Sequence, residues 1–283
     1  DSKNLKTVTL SENIVSIGGG LIFGTKVASI TIPKSVRESY TAFISGLTIT
    51  DYYGGALANT GYLKEIIFED GTETIIPYIA QGAESVERIV IPEGVTTIGI
   101  SAFYGASSLK QVTLPASVRT IGGGAFSNAS SLSQINLPEG IEEINGFDCT
   151  SSLTQIELPK SVKAIGSYAF YKSGLTSIEL PEGLKEIDEC AFSESELTSI
   201  VIPGTVTCVE KSAFQGSKLT RVEFLEGTGD TELALNWCAF MDCENLETIT
   251  LSENIVYMGS CLIYGTKVES ITVPKSVRES SVT

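Results

Sequence analysis

The stretch Leu175-Thr176-Ser177-Ile178-Glu179-Leu180-Pro181-Glu182-Gly183-Leu184-Lys185-Glu186-Ile187-Asp188-Glu189-Cys190-Ala191-Phe192 decides the fold, because the chain then repeats it. The next copy carries Leu197, Ile200, Ile202, Pro203, Val206, Val209, Ala213 and Phe214 at the same spacings. The period is about 22 residues, and it begins again at Leu5, Val27, Leu63, Val86, Leu109, Leu132, Leu153, Leu219, Leu246 and Val268. A fixed period of this length marks a solenoid, in which each unit buries its apolar face only by stacking on its neighbours. About twelve coils are expected over residues 1–283, as one array.

Each coil opens with a short alternation such as Ile178-Glu179-Leu180, the period of a half-buried strand. Stacked once per coil, these strands predict a parallel ladder with a spacing of about 4.8 Å and a rod roughly 55–60 Å long. Eight of the nine prolines occupy the seventh slot (Pro33, Pro92, Pro115, Pro138, Pro159, Pro181, Pro203 and Pro274). Proline has no N–H to donate, so it fits where the chain leaves a ladder. A second short extended piece follows, and the Ala-Phe stretch is expected to close the coil as a short helical turn. The recurring Phe103, Phe126, Phe170, Phe192, Phe214 and Phe240 predict a continuous core spine. The fold class is therefore an α/β-type solenoid, rich in β structure, with a parallel strand ladder and short helical turns.

Two places break the period. Val27 to Leu63 spans 36 residues and holds Tyr40, Phe43, Tyr52, Tyr53 and Tyr62; it is either one coil with an insertion or a shortened coil closed by Ala42-Phe43 and followed by an irregular one, the irregular part falling at about residues 37–62. A smaller insertion falls near residues 226–235. A longer repeat overlies the short one: residues 3–39 and 244–280 match at 27 of 37 positions, an offset of 241 (244 − 3). With the chain ending inside what should be another coil, a fragment of a longer protein is expected.

The formal charge of −15 disfavours nucleic acid and anionic lipid as partners. No apolar run reaches the roughly 20 residues that cross a bilayer. There is no histidine, which removes the commonest general base and the usual Cys/His zinc combinations. No phosphate-binding glycine loop or calcium loop is present, so no cofactor, metal or catalytic residue is expected, and the strand-face acids Glu157, Glu179 and Glu223 read as solvated. Cys190, Cys238 and Cys261 share the slot before the Ala-Phe pair or its equivalent, where Ser101, Gly124, Tyr168 and Ser212 stand in other coils. Cys243 falls in a second slot, filled elsewhere by Ala106, Ala129, Ser173, Ser195 and Ser217; small residues recurring in a slot suggest a tight spot between coils with buried thiols, and a Cys238–Cys261 bridge between adjacent coils is the alternative. The ladders Thr154, Thr176, Thr198, Thr220 and Gln111, Gln134, Gln155 read as β-formers stacked sideways.

The pattern L-x-x-I-x-[LI]-P-x-x-[VIL]-x-x-I-x-x-x-A-F resembles the BspA-type leucine-rich repeat of bacterial surface proteins, over nearly the whole chain. Leu21-Ile22 and Leu262-Ile263 replace Ala-Phe, and Ser11, Glu69, Leu225 and Ser252 replace Pro. The resemblance implies a curved right-handed solenoid, an extracellular or cell-surface location, and adhesion to a protein ligand such as host matrix or another surface protein. It brings no catalytic residues. The expected role is non-enzymatic recognition or adhesion; a passive spacer in a larger surface protein and a surface glycan-binding module are the alternatives. Tyr40, Tyr52, Tyr53 and Tyr62 are the candidate protein-binding residues, because loops that depart from a rigid scaffold tend to carry function.

Overall fold

A computed structural model describes residues 3–40, 55–58, 61–227 and 229–280. Over these residues the chain is a parallel-strand β-solenoid. Internal contacts group it into two units, Asp1–Pro138 with Cys149–Leu153, and Glu139–Asp148 with Thr154–Thr283.

Both units are built from two strand columns, one on each side of the proline. In the first unit, Ser29–Ile32, Glu65–Phe68 and Arg88–Val90 form a three-stranded parallel sheet, and Gln111–Thr113 pairs with Gln134–Asn136. In the second unit, Ser199–Ile202, Arg221–Phe224 and Thr248–Thr250 form the equivalent sheet. The register is one coil per strand: Ile200 faces Val222, which faces Ile249. The expected alternation is present, since Ser199–Ile202 reads exposed, buried, exposed, buried.

After the proline, the V-x-x-I segment forms the second column. In the first unit it pairs Thr74–Ile75, Thr97–Ile98 and Thr120–Ile121, and separately Ser16–Gly18 with Glu38–Tyr40. In the second unit it forms a seven-stranded sheet from Glu143–Ile144 to Glu279–Ser280. The insertion lies ahead of the strand Leu233–Leu235, which still pairs in unbroken register with Cys208–Val209; on its other side the register with Ile255–Met258 shifts by one residue, at Val256. A hydroxyl two residues after the proline fastens this bend: Ser35, Ser117, Ser161, Thr205 and Ser276 each donate to a carbonyl of the preceding coil, at 2.7–2.9 Å.

The phenylalanine spine is present in each unit and includes Phe147, which follows Gly146 instead of alanine. Phe147, Phe170, Phe192, Phe214 and Phe240 are fully buried and stack at centroid spacings of 5.2–5.8 Å. In the first unit Phe103 stacks on Phe126 at 5.5 Å, while Phe68 meets Phe103 edge-on. The spacing exceeds that of the strand ladder, so the rings lie slightly offset, the preferred aromatic geometry.

The expected helical turns are not formed, and no helix occurs among the described residues. The reason lies in the slot before the Ala-Phe pair. Ser101, Tyr168, Cys190, Ser212, Cys238 and Cys261 all have φ between 49° and 59°, in the left-handed region that a right-handed helix cannot include. A second left-handed residue follows four positions later, for instance Gly105, Lys172, Glu194 and Gly216. Between them the N–H groups alternate in direction. Ser101, Phe103 and Gly105 donate to Gly123, Ala125 and Ser127 of the next coil; Ala102, Tyr104 and Ala106 donate three residues back, to Gly99, Ser101 and Phe103. The same alternation recurs at Cys190 to Ser195 and Ser212 to Ser217. The α/β expectation therefore becomes all-β: the closing stretch is a third backbone ladder made of turns.

The long duplication is also structural. Thr25 Oγ1 donates to Ile22 O at 2.7 Å, and Thr266 Oγ1 to Ile263 O at 2.9 Å. Lys26 N donates to Leu5 O at 2.8 Å, and Lys267 N to Leu246 O at 2.9 Å. Each pair differs by the same offset of 241 (266 − 25, 267 − 26).

Candidate recognition surface

The strand faces are occupied by their own ladders. Thr176, Thr198 and Thr220 each direct Oγ1 to the carbonyl of the threonine one coil earlier, at 3.4, 3.3 and 3.0 Å. Arg88 pairs with Glu65, and Arg221 with Glu223 at 2.7 Å, all on exposed faces. Glu157 and Glu179 stand exposed. Among the described residues no group of three or more Cys, Asp or Glu could hold a metal ion.

Large apolar side chains reach solvent instead along the turn edge. Residues just before the left-handed slot are polar or small in most coils (Gly123, Ser167, Glu189, Lys211), because that position points outward. In two coils it carries Ile100 and Trp237, and both are exposed. Trp237 is the chain's one tryptophan, and it is 51% exposed. Its Nε1 donates to Tyr257 Oη at 2.8 Å, across one coil. Gly259 makes this possible, since a Cβ there would collide with the indole. Tyr264, at 67% exposure, stands in the same coil as Tyr257. This slot logic is the signal by which the sequence could have singled out Trp237.

A second aromatic group stands at Tyr168 and Tyr171, whose rings meet edge to face at 5.7 Å. Tyr171 Oη donates to Glu194 Oε1 at 2.9 Å; Lys172 Nζ lies 5.0 Å above the Tyr171 ring and 3.3 Å from Glu194 Oε2. Tyr171 and Glu194 together hold the Lys172 ammonium above its ordinary pKa. Tyr168, Tyr171 and Glu194 line an open groove of about 590 Å³ that continues past Gln215, Lys218 and Asp242.

Of the four tyrosines chosen from the sequence, Tyr62 is 53% exposed, and Tyr40 ends the strand Glu38–Tyr40. Tyr52 and Tyr53 lie outside the described residues.

The cysteines need a correction. All six are thiols, but Cys243 alone is buried; Cys149, Cys190, Cys208 and Cys238 are half-buried and Cys261 is exposed. The slot is set by backbone handedness, not by lack of room, which is why Tyr168 also fits it. Burial, reinforced by Glu210, pushes the Cys208 thiol up to about 12. Burial likewise raises Asp188, with Glu186, Glu143 and Glu210 adding repulsion.

The BspA type leucine-rich repeat region matches in six copies, over residues 1–50, 48–147, 145–231 and 230–281. No curated protein matches the chain significantly. Among solved structures, a leucine-rich repeat protein from Bacteroides ovatus is 23% identical with a TM-score of 0.64, covering 94% of this chain and 78% of that one. A leucine-rich repeat protein from Treponema pallidum is 28% identical over 64% of this chain and 82% of its own, with a TM-score of 0.46. A leucine-rich cell surface protein from Faecalibacterium prausnitzii is 20% identical over 95% and 84%, with a TM-score of 0.45. The Bacteroides likeness carries the fold. The period, the two strand columns, the aromatic spine and the family match over nearly the whole length lead to one conclusion: the chain belongs to the BspA-type leucine-rich repeat family.

Proposed function

We propose that this chain is a non-enzymatic, cell-surface repeat module that recognises a protein ligand through its aromatic turn edge. The observation that carries this reading is the Trp237–Tyr257 pair with Tyr264 beside it in sequence. Here large rings are held in solvent, one of them fixed by a hydrogen bond, on a rigid ladder. Trp and Tyr are the residues that dominate protein interfaces, and pre-ordering them lowers the cost of association. The family's bacterial surface proteins support the location and the adhesive role. No helix among the described residues is long and apolar enough to cross a membrane.

The test is saturable binding of the chain to immobilised extracellular-matrix and bacterial surface proteins. Trp237→Ala with Tyr264→Ala should weaken a genuine interaction by at least about 30-fold, as loss of ~2 kcal/mol implies. Tyr52→Ala with Tyr53→Ala tests the irregular segment as the contact instead. Absence of saturable binding across the panel would favour a passive spacer.

The groove beside Tyr168 favours a second reading, a surface glycan as ligand. Exposed rings and planar polar groups such as Gln215 and Asp242 are the chemistry that stacks on and hydrogen-bonds to sugar faces. Retention on a glycan array, abolished by Tyr168→Ala, would support it.

A further inference from the structure

One pair of side chains beside the proposed recognition surface carries chemistry of its own. Cys238 and Cys261 occupy the same left-handed slot in successive coils, with φ of 59° and 56°. Cys238 N donates to Ser260 O at 3.0 Å, so the two cysteines are lateral neighbours in the turn ladder. Neighbours in a parallel ladder lie about 4.8 Å apart, inside the roughly 4.4–6.8 Å Cα separation that a disulfide bridges. Burial, with the Cys261 thiol beside it, raises the Cys238 thiol above its ordinary pKa.

No other pairing competes within the slot. Going back along the ladder, Cys238 is preceded by Ser212, and Cys190 lies a further coil away. Cys243 is turned inward, onto Ser217 Oγ and Phe214 O. The duplication sharpens the point. Residues 3–39 and 244–280 agree at 27 of 37 positions, yet the slot that holds Gly20 in the first copy holds Cys261 in the second. Glycine is the low-strain residue at a left-handed position, so this substitution puts a thiol beside Cys238 in a conformation that does not favour a side chain.

We propose that Cys238 and Cys261 are a modification site: they form a disulfide staple across two coils when the protein meets a small-molecule disulfide. The exposed Cys261 thiolate attacks one sulfur of that disulfide, whose S–S bond breaks and releases one small thiol. The Cys238 thiolate then attacks Sγ of the Cys261 mixed disulfide, forming the Sγ–Sγ bond and releasing the second small thiol. Two protein thiols are oxidised, one small disulfide is reduced, and each attacking cysteine gives up its proton to solvent. The bridge closes the coil carrying Trp237 onto the coil carrying Tyr257 and Tyr264. It does not depend on what those rings bind.

The experiment treats the purified chain with oxidised glutathione, blocks the remaining thiols by alkylation, and maps peptides by mass spectrometry. The expected result is a linked Cys238–Cys261 peptide, loss of two hydrogens from the intact mass, and a melting temperature several degrees above that of the alkylated, reduced chain. Cys238→Ser should leave Cys261 as a glutathione adduct, with no linked peptide and no rise in melting temperature. Serine already fills this slot at Ser101 and Ser212, so the variant keeps the fold. Recovery of both cysteines in the wild type as separate adducts or alkylated thiols would overturn the proposal. So would a bridge to another cysteine, or a Cys238–Cys261 bridge without any thermal gain.

Discussion

Ser101 gives a test of the turn geometry in which the sign of the result decides. Its φ of 49° lies in the left-handed region, and its N–H donates to Gly123 O at 3.0 Å, a bond that any non-proline residue keeps. The comparison is between Ser101→Gly and Ser101→Ala, which both delete the hydroxyl, so its contribution cancels. Alanine at a left-handed position carries a steric penalty of about 1–2 kcal/mol. Glycine avoids it but loses about 0.5–1 kcal/mol more chain entropy on folding. Glycine should therefore lead by about 0.5–1 kcal/mol. In a helical turn the order reverses, with alanine ahead by about 1 kcal/mol. The two geometries thus differ by close to 2 kcal/mol and in sign. Urea denaturation of the two variants measures it. With a slope of ~3 kcal/mol per molar, the glycine midpoint should lie about 0.2–0.3 M higher. An alanine variant as stable as the glycine variant, or more so, would refute the left-handed ladder. Ser212, with φ 57°, provides an independent repeat in the second unit.

Three further outcomes are expected. Phe214→Ala removes a fully buried ring stacked at 5.2 Å on Phe192 and 5.3 Å on Phe240, and should cost about 3–5 kcal/mol in denaturant unfolding; a loss below 1 kcal/mol would show that the spine adds little. Asp188 has its folded pKa raised by burial and by Glu186, Glu143 and Glu210, so it favours folding when protonated, and that contribution is lost as pH rises through the folded pKa. Asp188→Asn should therefore stabilise the protein at neutral pH, with the gain vanishing below the ordinary aspartate range near pH ~3; a gain that persists in acid would assign it to something other than charge. Cys208, its thiol pushed up to about 12, should resist alkylation under native conditions that label the exposed Cys261 within the same sample, as read by peptide mass mapping.

Most of the architecture could be read from spacing. Leu, Ile and Pro recur where a strand must bury alternate residues and then stop donating, and both strand columns form at those places. Phe147 escaped because its coil carries Gly146 in place of alanine, although the ring sits in the spine like the others. The helical expectation failed for a definite reason. Ala-Phe within a run of small residues has helical propensity, but backbone handedness at the preceding residue overrides it, and Ser, Tyr and Cys do not advertise a left-handed φ. Gly124 in the same slot was the available clue. The proposed recognition surface was less legible still. Trp237 was hidden because its exposure depends on which way one slot faces. The Trp237–Tyr257 contact joins residues 20 apart, through a coil whose length only the fold defines.

The alternating turn bonds also restrict how such a chain can change in length. One added residue between Ser101 and Ala106 would exchange every donor that reaches the next coil for one that folds back, leaving several carbonyls of the neighbour without a hydrogen. Growth or loss is thus tolerated in whole coils, or in a loop between ladder strands such as the one ahead of Leu233, after which the strand pairs in unbroken register with Cys208–Val209. Edits to this protein, natural or engineered, should come in quanta of one turn.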